Sequence, residues 1–180
     1  MLAVRIIPVL LCRNDTLVKG KRFNAWRSVG HVAQAARIYA MRGVDELVVL
    51  DIGATPANRE PDIALVEKIS AGNFTPLAYG GGIKTMFHVE QLLKAGVDKL
   101  IIGHAAVWPN LNFLREATRT VGSQAITVAL DYIGGTHRLE RGKLDTCVPV
   151  VISAKELEEA GVGEILLTSI PREGTMEGYD

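Results

Sequence analysis

Cysteine is scarce in this 180-residue chain: Cys12 and Cys147 lie far apart, and neither has a metal-like spacing to any of the four histidines. Neither a disulfide framework nor a zinc module is expected, and both thiols read as reduced. Charge of one sign is also missing, with 20 Lys and Arg against 20 Asp and Glu, so no basic field marks a nucleic-acid surface. No apolar run approaches the ~18 residues of a membrane helix. The first residues show no charged stretch followed by a long apolar core and a small-residue cleavage site. A soluble cytoplasmic protein is expected, with no metal, no membrane and no nucleic-acid partner. Aromatic residues are only 6% of the chain, and Trp26 and Trp108 read as packing residues rather than a nucleotide platform.

What is present is an internal echo. Val44 to Ile52 is matched near the end of the chain by Val162 to Ile170, with the acid, the apolar run and the final Ile in step. Arg5 to Leu11 is matched by Ala125 to Asp131 at a similar separation. A chain with 48% hydrophobic residues can bury a real core, and one half followed by part of a second is the reading. Each run is short, almost wholly apolar and closed by a polar residue, the pattern of a parallel strand buried on both faces. Helical patterns follow most of the runs, which is the grammar of a βα-barrel.

Taken in order, the strands are expected at Arg5 to Leu11, Leu47 to Asp51, Pro76 to Tyr79, Lys99 to Ile102, Ala125 to Leu130 and Glu164 to Ser169. Helices are expected at His31 to Arg42, from Pro61 with an inward stripe of Leu65, Val66 and Ile69, at Met86 to Ala95, Leu111 to Val121 and Ser153 to Ala160. A long loop carries Lys19, Gly20 and Lys21, and Tyr132 to Val148 reads as an excursion, a hairpin. Gly43, Gly96 and Gly161 each join a helix end to a strand start by the same short route. The expected fold is α/β, a (βα)8 TIM barrel with about six strands present, since a complete one takes about 200 to 250 residues; the end at Asp180 reads as a cut. One barrel domain covers 1–180, with the first half-barrel at 1–121 and the start of the second at 122–180. Strands one and six would then leave open edges, and the chain alone is expected to aggregate or dimerise.

Barrel active sites form at the C-terminal ends of strands, which points to Leu11, Asp51, Gly80 to Gly82, Gly103, His104, Asp131 and Ser169 to Gly174. Asp131 stands out: a partly buried carboxylate there can exchange protons near neutral pH. Capping its own loop is the plainer alternative. Asp51 is as well suited to ordering a loop as to touching substrate. Gly80-Gly81-Gly82 ahead of a helix offers bare N–H groups to a phosphate, and Gly174 offers a second such point. At the opposite ends of the strands Arg5, Glu46, Lys99 and Glu164 should meet as two cations and two anions. That set is either a plug or a gate for something small. His31, His88 and His137 read as surface or helix-face residues, and only His104 falls at a strand end.

Arg5-Ile6-Ile7-Pro8, Val18-Lys19-Gly20, Asp45-Glu46-Leu47, Leu50-Asp51-Ile52, Gly80-Gly81-Gly82-Ile83, Gly122-Ser123-Gln124-Ala125 and Gly163 to Ile170 together resemble the HisF family, the cyclase subunit of imidazole glycerol phosphate synthase. The resemblance runs the length of the chain. It implies a cofactor-free enzyme that takes ammonia from a HisH-like glutaminase docked at the barrel bottom and uses it at the top on a bis-phosphorylated substrate. On that resemblance Asp131 and Lys19 are catalytic, and Asp51, Gly81, Gly82, Gly103, Thr168 and Gly174 bind substrate and phosphate. Arg5, Glu46, Lys99 and Glu164 form the ammonia gate, and Asp98 contacts the glutaminase.

Three departures sit at the strand ends. Leu11 stands where the family has a second catalytic Asp, Gly103 and His104 stand where it has Asn and Thr, and Pro171-Arg172-Glu173-Gly174-Thr175 replaces Asp-Arg-Asp-Gly-Thr. With Asn58 to Pro61 and Pro76 to Thr85, they resemble a HisF paralogue found with a glutaminase and a sugar amidotransferase. Its products are acetamidino sugars of surface polysaccharides. The alternatives are the histidine-pathway cyclase itself and a non-catalytic scaffold for the glutaminase. The sister isomerase HisA takes no ammonia, so the bottom charges speak against it.

Overall fold

The computed structural model describes residues 4–72, 74–103 and 108–178. Its elements run β1 (Val9–Arg13), β2 (Thr16–Lys21), β3 (Asn24–His31), α1 (Val32–Met41), β4 (Leu47–Asp51), α2 (Ile63–Ser70), β5 (Leu77–Gly80), α3 (Met86–Lys94), β6 (Lys99–Gly103), α4 (Asn112–Val121), β7 (Ile126–Ile133), β8 (Thr136–Leu139), β9 (Leu144–Pro149), α5 (Val150–Glu159) and β10 (Glu164–Ser169). The six expected apolar runs all form strands: β1, β4, β5, β6, β7 and β10. Pairing between β1 and β4, β4 and β5, and β7 and β10 is parallel. The fold is therefore α/β with a mostly parallel sheet, the TIM-barrel type of architecture.

Two compact units share the chain. One runs through Val18 and resumes at Ser28 to Leu100; the other takes Lys19–Arg27 and the chain from Ile101 onward. In the first, Leu10 and Cys12 of β1, Leu47, Val49 and Asp51 of β4, and Leu77 and Tyr79 of β5 are all buried. Only β1 alternates; Val48 of β4 and Ala78 of β5 are buried as well, so those two strands are covered on both faces. The register pairs Leu11 with Leu50 and Cys12 with Asp51. Helix α2 buries Leu65, Val66 and Ile69, each contributing about 1.5–3 kcal/mol of transfer free energy before entropy is subtracted. Its N-cap is Asp62, whose Oδ1 accepts from the Leu65 N–H at 2.9 Å. Pro61 thus precedes the cap instead of opening the helix, because Asp62 supplies the acceptor that the first turn needs.

In the second unit β7 is the central strand. β10 lies parallel to it, with Thr168 opposite Asp131 and Glu164 opposite Thr127. β8 runs antiparallel to it and β9 antiparallel to β8. The expected excursion is thus a β-meander, and β7 runs three residues past Leu130 to start it. His137 of β8 is fully buried, with its Nδ1 3.3 Å from the Ser153 hydroxyl on α5, which corrects its reading as a surface residue. His88 is likewise buried on α3, where its Nδ1 accepts from the Lys84 N–H at 3.2 Å. Both histidines have polar partners, which is what makes their burial tolerable. On β10, Ile165 and Leu167 are exposed.

The glycine joints hold in all three places. Gly43, Gly96 and Gly161 have φ of 68°, 98° and 87°, and each donates its N–H to the carbonyl three residues back, on Ala40, Leu93 and Glu158. Val97 and Val162 then bond back to Leu92 and Leu157, closing the wider ring of a Schellman ending.

The first connection departs most from expectation. The loop carrying Lys19 is a hairpin, with β2 half-buried through Val18 and Gly20 and β3 mostly exposed.

Candidate functional site

The first unit holds one constellation at each end of its strands. At the strand starts, Glu46 is 4% exposed, and a single oxygen, Oε2, accepts from Lys99 Nζ at 3.0 Å and from Arg5 Nη1 at 3.2 Å. A buried carboxylate is costly unless charge and hydrogen bonds compensate it, and two cations do so here. Three of the four expected charges therefore meet. The fourth, Glu164, begins β10 in the other unit. Asp98 lies beside Lys99 on the same rim and spends Oδ2 on the Leu77 N–H at 2.8 Å.

At the strand ends of the same unit, Asp51 is 2% exposed and both oxygens are engaged. Oδ1 accepts from the Gly53 N–H at 2.8 Å, and Oδ2 pairs with Arg59 Nη2 at 3.0 Å. Gly81 and Gly82 pack against this loop: at φ of 130° and 75°, an added Cβ would fall 2.6 Å from the Asp51 carbonyl and 2.6 Å from the Arg59 carbonyl. No side chain fits either position, so the glycines are required by packing as well as by φ. The N–H groups of Gly81, Gly82 and Ile83 donate to no acceptor among the described residues, which leaves them open to an anion. Leu11, opposite Leu50, brings no polar atom to this end of the sheet. Cys12 is fully buried, and burial, reinforced by nearby Asp51, pushes its thiol up to about 12. It is a packed apolar group rather than a nucleophile. The Tyr79 hydroxyl, also buried, is held well above its ordinary range and accepts from the Asp62 N–H at 3.2 Å.

The second unit contains the group with proton chemistry. Asp131 lies near the C-terminal end of β7, and burial raises its carboxyl to about 6. A hydrogen bond from the Thr168 hydroxyl, on the paired strand, opposes that rise. Among the described residues no cation pairs with Asp131. Arg138, its cross-strand partner on β8, is turned to Asp145 at 2.7 Å. A carboxyl poised near 6 can give and take a proton at neutral pH.

The remaining expected residues lie elsewhere in this unit. Gly103 ends β6 and is exposed. His104 lies outside the described residues. Lys19 is on β2, two residues before the end of the strand. Gly174 meets the loop that carries Lys19: at φ of 68°, an added Cβ would be 2.4 Å from the Gly20 carbonyl. Glu173, beside it, accepts from the Phe23 N–H through Oε2 at 3.0 Å. That contact joins residues 150 apart in the chain, and nothing in the local sequence signals it.

Comparison with known proteins agrees with the geometry. A family model described as histidine biosynthesis protein matches residues 5–180. The imidazole glycerol phosphate synthase subunit HisF of a Hydrogenobaculum species is 40% identical over all of this chain and 73% of its own length. Proteins of Pseudomonas aeruginosa and Vibrio vulnificus, both provisionally named imidazole glycerol phosphate synthase subunit hisF2, are each 39% identical over the whole chain and over 73% and 67% of their own lengths. With apolar strands carrying Asp51 and Asp131 at or near their C-terminal ends, and a family match that starts at Arg5 and takes in both, the chain belongs to the HisF family of histidine biosynthesis proteins.

Proposed function

We propose that the chain is the ammonia-using synthase subunit of a glutaminase-coupled enzyme, acting on a phosphorylated or nucleotide-linked sugar. Asp131 is its general acid and base. The observation that carries this reading is the Asp131 carboxyl itself: it is half-buried, raised to about 6 by desolvation and bonded to the Thr168 hydroxyl. Lys19 serves the same chemistry from the first βα connection. Gly81, Gly82, Gly103 and Gly174 offer backbone to phosphate groups, and Asp51 and Thr168 set the rim around them. Arg5, Glu46 and Lys99, with Glu164, guard the entry of ammonia from a HisH-like glutaminase that docks beside Asp98. Enclosure matters because ammonia protonates in open water and loses its nucleophilic lone pair.

Leu11 supports the sugar-modifying branch, in which a sugar amidotransferase completes the pathway, since an apolar side chain can neither move a proton nor stabilise charge. The second reading is the histidine-pathway cyclase, favoured by the name of the 40% identical relative. The test is ammonia-dependent turnover of the histidine-pathway bis-phosphorylated ribonucleotide, with Leu11→Asp alongside. Silence from the wild type and gain in Leu11→Asp favour the sugar branch. Turnover by the wild type returns the chain to histidine synthesis. If instead Asp131→Asn leaves turnover with the partner enzymes unchanged, the scaffold reading replaces both.

A further inference from the structure

The tip of the β2–β3 hairpin is held in place by another part of the chain. Arg22 and Phe23, the two residues of the turn, have φ of 52° and 57°, a left-handed pair that a two-residue hairpin normally gives to Asn-Gly. Neither residue favours that conformation, because both carry a Cβ. The bonds that hold it come from the segment after β10, within the same unit. The Arg22 N–H donates to the Glu173 carbonyl at 2.9 Å. The Phe23 N–H donates to Glu173 Oε2 at 3.0 Å, and Arg22 Nε donates to the Pro171 carbonyl at 3.0 Å. Gly174 admits the approach, since any side chain there would meet the Gly20 carbonyl. Gly20 in turn leaves room for Trp26, whose ring would lie 2.5 Å from an added Cβ.

We propose that Glu173 is a positioning residue for Lys19: its carboxylate latches the hairpin tip, and so fixes the strand on which Lys19 sits three residues earlier. The inference rests on the reading above that Lys19 serves the reaction. A turn held against its own preference has two states, latched and released, and the latch sets their ratio. Lys19 is delivered in one geometry only while the tip is latched, and positioning of that kind appears in kcat rather than in binding.

The experiment measures amide hydrogen exchange across residues 20–25 together with steady-state kinetics, in the full chain, for Glu173→Ala, Glu173→Asp and Glu173→Gln. Glu173→Ala is expected to speed exchange of the Phe23 amide at least tenfold and to lower kcat about tenfold, with KM within twofold and the thermal melt unchanged. Glu173→Gln keeps an acceptor oxygen at the same reach and should restore both. Glu173→Asp keeps the charge but is one methylene short, and should resemble Glu173→Ala. Exchange at the wild-type rate in Glu173→Ala overturns the latch, and faster exchange with kcat intact overturns its role in placing Lys19. If the wild type turns over neither substrate, the functional reading fails, while the exchange of the Phe23 amide still decides whether the latch exists.

Discussion

Asp51 and Asp131 are the same residue at comparable places, each near the C-terminal end of a buried parallel strand, yet they are built into the protein in opposite ways. Asp51 has an arginine on one oxygen and a backbone N–H on the other; Asp131 has one hydroxyl. A carboxylate with both oxygens engaged fixes its surroundings. One that is half-buried with a single weak donor is left with a proton to exchange. Partner count, rather than strand position, separates a structural acid from a chemical one.

The comparison breaks most decisively if Asp131→Asn retains activity. Loss of a general acid–base should cost about 10²–10⁴-fold in kcat, with the fold intact because Asn can still accept from Thr168; the same substitution at Asp51 should cost far less turnover. Next in size is the pH dependence of stability. The folded carboxyl of Asp131 lies near 6 against 3.8 for the free side chain, so the protonated form is favoured by folding. Its contribution is complete below about pH 4 and is lost as pH rises through 6, a swing of about 2–3 kcal/mol. Denaturant melts at pH 4 and pH 7.5 should show that swing in the wild type and lack it in Asp131→Asn.

Asp51→Ala should then lower stability by about 1–3 kcal/mol, because it strips the partners of Arg59 and of the Gly53 N–H in a buried loop. Calorimetry checks this, and an unchanged Tm would mean the loop is held by other contacts. The smallest effect belongs to Thr168→Val. Without the hydroxyl, the Asp131 carboxyl should titrate higher still, moving the acid limb of the rate profile upward in pH with little change in its maximum.

The six strands, and the place of Asp131 near the end of one of them, were legible in the sequence because an apolar run with a polar end has few other uses. The spans of β4 and β10 match the expected residues to the last position. The excursion after Tyr132 was legible too, but the β2–β3 hairpin was not. The turn between β2 and β3 places Arg22 and Phe23 at positive φ without the glycine or asparagine that would have announced it, whereas Gly134 and Gly135 mark the turn into β8. His137 and His88 were missed as core residues because burial of an imidazole depends on its partners, Ser153 for one and the Lys84 N–H for the other. The Glu173 contact was invisible for a related reason: a hydrogen bond between residues 150 apart leaves no periodicity to read.

The matching joints at Gly43, Gly96 and Gly161 have a consequence for recombination. Each ends a helix with the same left-handed glycine and the same bond three residues back, so the chain leaves all three helices along similar paths. A stretch that begins with a strand and runs to the end of a later helix is then a cassette bounded by standard connectors. Crossovers placed at these glycines should give viable chimeras more often than cuts in the loop from Ile52 to Asp62, where the Asp51 and Arg59 contacts are specific to one position in the chain. In a family read as one half followed by a second, similar half, such joints are where copying and splicing do the least damage.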